Sequence, residues 1–469
     1  YYSLRRQNPS TIIASFSPHP RPAVTRPSFT IPRHSTGARG GSTHDQKKQR
    51  PSSRTKKRLL RAAYWTIGVF VFCVAWILQP LEWHNGHDVE ALVRQWGYPF
   101  EAHTVRTADG YLLELHRIAH GRDDGPPASD ARRPPVLLQH GFATDSSNFV
   151  ANLPNQSLAF LLADAGFDVW LGNSRGNSYS RRHETLHHWN FAFWNFSWQD
   201  MATQDIPSIV DKVLQVTDQQ RLNYIGHSQG ALIIFARLSE DEELTAKIDN
   251  VFALAPALSV TNVRGLIAGI SPLAPVLRLI ERFVGGPFGV FRRSIINTVA
   301  GQTLCTSAYF SAACARFMFG SAGIESDQLN TSRIDVYMSS YPDGMSTKNV
   351  AHFGQMVRNK RTARFDYGAE ENLARYGSPD PPAYNFTNVK VPMYLWYSPH
   401  DYLVSDVDMD EYILPALDTK YLKLNVSLPS YNHVDFHWGL RAVDDIYKPI
   451  IQILTGGMSN VLRAEKMIT

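Results

Sequence analysis

The chain has 469 residues, 43% of them hydrophobic and 12% aromatic, enough for one large globular domain or two smaller ones with a sizeable core. Its net charge of +5 is unevenly spread: residues 1–61 carry 14 Lys/Arg against one acidic residue, Asp45, while the remainder carries 33 basic and 41 acidic residues. A nucleic-acid reader would show the opposite sign on its folded part, so that class is set aside.

Residues 1–58 are dominated by Pro, Ser, Arg and Gly and hold no apolar period, which predicts a disordered basic segment. The first Met is Met201, so this stretch is expected to be the start of a fragment or never to have been translated, and it is excluded from fold reasoning. The segment 59–80 reads as a signal peptide or a signal anchor. Its apolar run, Ala62–Leu78, is 17 residues long and follows a basic cluster, between the length of a signal-peptide core and that of a short membrane span. Cys73-Val74-Ala75 offers a small-residue cleavage site; without cleavage, the basic flank predicts a membrane anchor with the later residues across the membrane. Either way the chain beyond 80 is delivered to the secretory pathway, to be secreted, lysosomal or anchored with a lumenal domain. The other cysteines, Cys305 and Cys314, are spaced for a local disulfide or for two buried thiols, and spacing alone leaves both open. Candidate glycosylation sequons occur at Asn155, Asn195, Asn330, Asn385 and Asn425.

In the folded part, "HTVRTADGYLLELHRI" predicts a hairpin around Ala108-Asp109-Gly110. "PVLLQHGF" predicts a buried strand, and "SLAFLLADAG" a helix stopped by Gly166. "FDVWLGNSRGN" is a strand entering a Gly-rich loop. "SWQDMATQDIPSIVDKVLQVT" is an amphipathic helix with Ser197 as N-cap and Asp200 three residues on; Pro207 predicts a kink or a late start. "RLNYIGHSQG", "ALIIFARLSE" and "NVFALAPA" read as strand, helix and strand. Buried strands alternating with helices imply a mostly parallel, doubly wound sheet, the α/β class. From about Ser259 to Asn388 this rhythm breaks, and the segment reads as an insertion rich in aromatics and Met. "VPMYLWYSPHD" and "KLNVSLP" restore the strands, and "DDIYKPIIQIL" closes as a helix. The expected organisation is therefore a core in two parts, 81–258 and 389–469, around a mainly helical cap or lid at 259–388.

Two stretches match G-x-S-x-G, "GNSRG" and "GHSQG". A nucleophilic serine on a strained turn needs a strand before it and a helix after it. Ser228 has "LNYI" before and "ALIIFARL" after; Ser174 has "DVWL" before but the polar "NSYSRRHE" after. Ser228 is the candidate nucleophile, and Ser174 reads as part of a turn ordered by Arg175 and two glycines. In a doubly wound hydrolase the acid and the histidine follow in that order. Asp401, after a late strand, is the candidate acid; Asp406 and Asp408 look like solvated helix-start residues. His433 is the candidate base, ahead of His437, which lies deeper in a helix-like stretch. The candidate oxyanion donors are the backbone N–H groups of Gln229 and of Phe142, the latter in the first strand–helix loop; His140 beside it reads as structural. No clustered Cys/His spacing points to a metal, and no cofactor is implied.

The segment from about Asp88 to Leu454 resembles the acid lipase family of the α/β-hydrolase superfamily. "GYPFEAHTVRTADGYLLELHRI", "LLQHGFATDSSNFV", "WLGNSRGNSYSRRH", "FWNFSWQDMATQDIPSIVD", "YIGHSQG" and "YNHVDF" carry the resemblance. It implies a nucleophile at Ser228, an acid at Asp401, a histidine at His433, oxyanion donors at Phe142 and Gln229, a cap disulfide between Cys305 and Cys314, and a cap with a mobile lid. The chain departs from the family at Phe142, at Ala231 and in the stretch "WYSPHD" before the acid. The expectation is a serine ester hydrolase acting at a lipid–water interface on long-chain neutral lipid esters, triacylglycerols or steryl esters. Acyl transfer by the same triad and a non-catalytic lipid-binding protein on the same fold are the alternatives.

Overall fold

A computed structural model of the chain describes residues 88–124, 132–265, 268, 274–291, 310–323 and 326–457. The expected basic segment 1–58, the apolar segment 59–80 with its run 62–78, and Cys305 lie outside the described residues. Among the described residues no helix is long and apolar enough to cross a membrane.

A short helix α1 (Val89–Arg94) leads into the hairpin of β1 (Glu101–Arg106) and β2 (Tyr111–Ile118), paired antiparallel from Glu101 opposite Arg117 to Arg106 opposite Leu112. Thr107 closes the turn, its hydroxyl oxygen accepting from the Tyr111 N–H at 2.9 Å. β3 (Pro135–Gln139) is wholly buried. Helix α2 (Leu158–Asp164) ends where Gly166 turns to φ +93°. β4 (Asp168–Gly172) follows, and the two-residue β5 (Arg182–His183) pairs with β2.

The amphipathic stretch then forms in three pieces. A first turn, Trp198–Asp200, is closed by a capping box in which the Ser197 N–H donates to Asp200 Oδ2 at 2.7 Å. A π-helical turn, Met201–Asp205, follows, and then the regular helix α3 (Ile206–Thr217). Pro207 has no N–H to bond one turn back, and the widened turn lies immediately before it. The expected kink is therefore a π-turn.

β6 (Leu222–His227), α4 (Gln229–Leu238), α5 (Glu242–Ala246) and β7 (Ile248–Leu254) complete the first part of the core. Next come α6 (Ala274–Val284), β8 (Gly289–Val290), α7 (Ser311–Ala322), α8 (Ile334–Ser340), β9 (Met345–Ser346), α9 (Thr347–Asn359) and α10 (Ala369–Tyr376), with β8 and β9 forming a small antiparallel pair. β10 (Met393–Tyr397), β11 (Leu422–Ser427), the single turn α11 (Asp435–Trp438) and α12 (Lys448–Leu454) close the fold.

The main sheet runs β1-β2-β4-β3-β6-β7-β10-β11, parallel from β4 to β11. Both faces are covered, so β3, β4 and β6 are buried along their whole length. Leu137, Trp170, Tyr224 and Leu395 face a core shared with α3 and α4; Val136, Leu138, Ile225 and Trp396 face the opposite core, shared with α2 and α12. The chain leaves β3 toward β4 and leaves β6 toward β7, in opposite directions along the sheet. The crevice at the carboxyl ends of β3 and β6 is thus the topological switch point, where α/β sheets bind ligands.

One buried cation ties three distant segments beside this crevice. Arg175 donates to Asp205 Oδ1 at 2.6 and 2.8 Å and to Asp109, in the hairpin turn, at 2.6 and 3.0 Å. Its guanidinium also lies 3.9 Å from the Tyr111 ring centroid. Burial pushes the Asp205 carboxyl up to about 6 in spite of Arg175. At the more exposed Asp109, burial is outweighed by Arg175 and the carboxyl sits below its ordinary value.

Several histidines are buried as neutral rings. Burial lowers His140 to about 4, and His352 and His437 to about 3. The unfolded chain then binds more protons than the folded one between those values and the ordinary 6.5, so stability falls as pH drops through that window. Each such ring contributes up to ~1.4 kcal/mol per pH unit. His352 donates from Nε2 to the Ala363 carbonyl at 3.0 Å, so its Nδ1 accepts from the Ser197 hydroxyl at 3.1 Å. Chemical denaturation of wild type across this range should show falling stability toward acid. His352→Gln, which offers both a donor and an acceptor but no titrating ring, should reduce the slope by about one proton. An unchanged slope would contradict a neutral, buried His352.

Candidate active site

Ser228 sits between β6 and α4 at φ +53°, ψ −117°, a conformation that costs a non-glycine residue strain. Its N–H donates to the Leu254 carbonyl at 2.9 Å, and its carbonyl accepts from Ala231 and Leu232 at 3.0 and 3.2 Å. The flanking glycines make the turn sterically feasible. A Cβ on Gly226 would lie 2.7 Å from the Ala231 nitrogen; one on Gly230 would collide with the Gln139 carbonyl and come within 2.7 Å of that of His140. The "GHSQG" turn is therefore pressed against the end of β3.

The second match is built differently. Ser174 is buried, its N–H donates to His140 Nε2 at 3.0 Å, and its hydroxyl oxygen accepts from Gln139 Nε2 at 2.9 Å. No helix follows it; Arg175 and its two carboxylates order the loop.

Asp401 lies beyond β10 and His433 beyond β11, on adjacent parallel strands. His433 Nδ1 donates to Asp401 Oδ2 at 2.6 Å. Asp401 Oδ1 accepts from the Leu403 and Val404 N–H groups at 2.7 and 3.0 Å. With Nδ1 donating to a carboxylate, Nε2 carries the lone pair. His227, next to Ser228, donates from Nε2 to the His433 carbonyl at 3.0 Å, and the two rings are 4.8 Å apart. That contact holds His433 beside the Ser228 turn.

The competing residues go elsewhere. Asp406 is half-exposed and pairs with Arg264 at 3.0 Å. Asp408 is not solvated: it is fully buried and accepts from Ser259 Oγ, the Thr261 N–H and Ser405 Oγ, each at 2.8 Å. Thr261 is 147 residues away in sequence, so nothing near Asp408 announces its burial. His437 is buried in α11 with its ring 4.4 Å from that of His227, and neither nitrogen has a hydrogen-bond partner among the described residues.

Phe142 and Gln229 stand on the two sides of the switch-point crevice. Among the described residues neither backbone N–H has an acceptor. A Cβ on Gly141 would lie 3.0 Å from the Ser228 Cβ, so this loop abuts the serine. Helix α9 reaches both candidate donors: Asn349 Nδ2 donates to Gln229 Oε1 at 2.7 Å, and Phe353 meets the Phe142 ring edge-on at 5.1 Å. His227, Asn349 and Phe353 were not singled out from sequence. Only the position of His227 inside the motif could have flagged it; the other two lie in the insertion, where no periodicity points to them.

The site is closed. Ser228 is 4% and His433 5% exposed. A cleft of about 400 Å3, lined among others by Glu114, His116, Tyr179 and Arg182, contains none of the candidate residues. Among the described residues no group of three or more His, Cys, Asp or Glu side chains is placed to hold a metal. Cys314, in α7, is disulfide-bonded, while its expected partner Cys305 lies outside the described residues. Of the sequons, Asn155, Asn195, Asn385 and Asn425 are exposed and Asn330 is half-buried.

Residues 89–153 match the model of the partial alpha/beta-hydrolase lipase region, and residues 134–313 match that of the alpha/beta hydrolase fold. Lipase lipl-1 of Caenorhabditis elegans is 41% identical, over 80% of this chain and 95% of its own length. The gastric triacylglycerol lipase of Bos taurus is 37% identical, over 78% of this chain and 91% of its own. The lysosomal acid lipase/cholesteryl ester hydrolase of Macaca fascicularis is 38% identical, over 78% and 90%. A switch-point crevice carrying a strained serine, and identity of this level over nearly the whole of several lipases, lead to one conclusion: the chain belongs to the acid lipase family of α/β-hydrolases and is a lipid ester hydrolase.

Proposed function

We propose that Ser228, His433 and Asp401 are the catalytic triad of a lipase that cleaves long-chain neutral lipid esters. The reading rests above all on the 2.6 Å bond from His433 to the buried Asp401, with His433 tied through His227 to the strained Ser228 turn. Ser228 Oγ attacks the ester carbonyl carbon while its proton passes to His433 Nε2. The N–H groups of Phe142 and Gln229 receive the oxyanion, the kind of contact worth about 10²–10³ in kcat per donor. The tetrahedral intermediate collapses, the acyl C–O bond breaks, and the alcohol leaves with the proton from His433. Water then attacks the acyl-enzyme, giving its proton to His433, and releases the acid and free Ser228. Asp401 holds the imidazole tautomer and stabilises the imidazolium.

The relatives named for triacylglycerol and cholesteryl ester support these two substrate classes, and their gastric and lysosomal names support a secreted or lysosomal site of action. Residues 259–388 act as a cap. A bulky ester cannot reach a serine this buried without movement of the elements over it. The outer face of α6 fits such a role: Leu279, Ile280 and Phe283 are exposed, the last at 91%, and Phe191, also exposed, lies beside Gly285 and Gly286 just past the helix end. Apolar side chains held in water gain by meeting a lipid surface.

Ser228→Ala should abolish hydrolysis and labelling by a fluorophosphonate, while Ser174→Ala should keep the label; a label lost only in the Ser174 variant would reverse the assignment. Asp401→Asn should lower kcat by about 10³–10⁴-fold, because the imidazole loses its orienter. Near-normal turnover would place the acid elsewhere. Replacing Leu279 and Phe283 together by Asp should slow hydrolysis of an emulsified long-chain ester several-fold and leave a soluble short-chain ester unaffected. Equal rates on the emulsion would remove α6 from the interface.

A further inference from the structure

Asp401 and His433 come from separate loops, and the short bond between them requires the loops to keep one spacing. At the base of the loops the core supplies a link: the Ser398 hydroxyl donates to the Tyr431 carbonyl at 2.6 Å. Closer to the reacting groups the link comes from the insertion. Ala322, the last residue of α7, offers one carbonyl to two donors, the Tyr402 N–H at 3.2 Å and the His433 N–H at 3.1 Å. The next residue, Gly323, pairs with Asp401 as an antiparallel bridge.

Gly323 is wedged between the two residues that precede the pair. A Cβ there would lie 2.6 Å from the His400 carbonyl oxygen and 2.6 Å from the Asn432 Cβ. Neither obstacle is a flexible side-chain end, so the loops would have to part. The same helix provides an internal comparison, because a Cβ on Gly320 meets nothing within 4 Å among the described residues.

We infer that Gly323 is a positioning residue for the Asp401–His433 pair: the insertion sets the spacing of the acid and the histidine through the backbone at the end of α7. The inference rests on the triad reading above. It gives α7 a second duty. The end of this helix is bound to both loops of the core through its backbone. A displacement of about 1 Å in a reacting group can cost about 10²-fold in rate, so a few tenths of an ångström at this bond is measurable.

The test compares Gly323→Ala, Gly323→Val, Gly320→Ala and His433→Ala in the full chain with its disulfide intact. A soluble short-chain p-nitrophenyl ester gives kcat and KM. The rate of fluorophosphonate labelling is measured per folded molecule, counted by near-UV circular dichroism, so that lost stability does not mimic lost activity. Gly323→Ala should lower kcat at least ten-fold and Gly323→Val further, with KM within about three-fold and labelling slowed in proportion to kcat. Gly320→Ala should match wild type. Wild-type kcat per folded molecule in Gly323→Ala would overturn the inference. So would a rise in KM alone, which would assign Gly323 to cap closure, or an equal loss in Gly320→Ala. If His433→Ala keeps normal turnover, the triad reading itself fails and the inference goes with it. If His433→Ala is inactive while Gly323→Ala is normal, only the positioning role fails.

Discussion

Ser228 holds φ +53° at the end of a buried strand, and a non-glycine residue in such a conformation stores of order 1–3 kcal/mol of strain. The surroundings leave it no alternative. Its N–H is taken by Leu254 on the neighbouring strand and its carbonyl starts α4. Gly226 and Gly230 sit where any side chain would strike backbone. The close approach at Gly230 also presses α4 against the end of β3. That approach sets the Gln229 N–H, the first of a helix and so without an intrahelical acceptor, across the switch-point crevice from Phe142. One steric constraint thus fixes the strained serine turn and, on the proposed reading, sets two backbone donors beside it.

The insertion completes what the sheet begins. Asn349 and Phe353 of α9 fix the side chains of the two candidate oxyanion residues, and Ala322 of α7 binds the loops of the acid and the histidine. On the proposed reading, cover and machinery are therefore parts of the same segment. The rings around His433 contribute electrostatically as well. Burial holds His227 far below its ordinary value and lowers His437 to about 3. Both stay neutral at mildly acidic pH, so neither would oppose the positive charge that the proposed mechanism places on His433. The same burial makes the fold less stable toward acid.

What the sequence revealed follows the range of the interactions involved. The hairpin, the buried strands, the helix stop at Gly166 and the capping box at Ser197 are set by residues within a few positions of one another, and all are present. The order of Ser228, Asp401 and His433 was legible because sheet topology places strand ends in a fixed succession. Pro207 announced an irregularity without giving its form, which is a π-turn. Long-range partners were not legible. Asp408 looks like a surface helix start until Ser259 and Thr261 are seen around it, and Asp205 gives no sign locally of its pairing with Arg175. Gly323 is one glycine among 30 until its two neighbours across the loops are known. The disulfide was suggested by family resemblance more than by spacing, and Cys314 is bonded.

On the proposed reading, a single strained turn aligns nucleophile, donors and histidine on one point. A crystal structure of the protein inactivated by a long-chain alkyl phosphonate tests it most directly. Phosphorus should be bonded to Ser228 Oγ, with the phosphoryl oxygen about 2.7–3.1 Å from both the Phe142 and the Gln229 nitrogens. His433 Nε2 should lie within hydrogen-bond reach of the ester oxygens while Nδ1 remains on Asp401. Phosphorus on Ser174, or a phosphoryl oxygen bound by other donors, would contradict it.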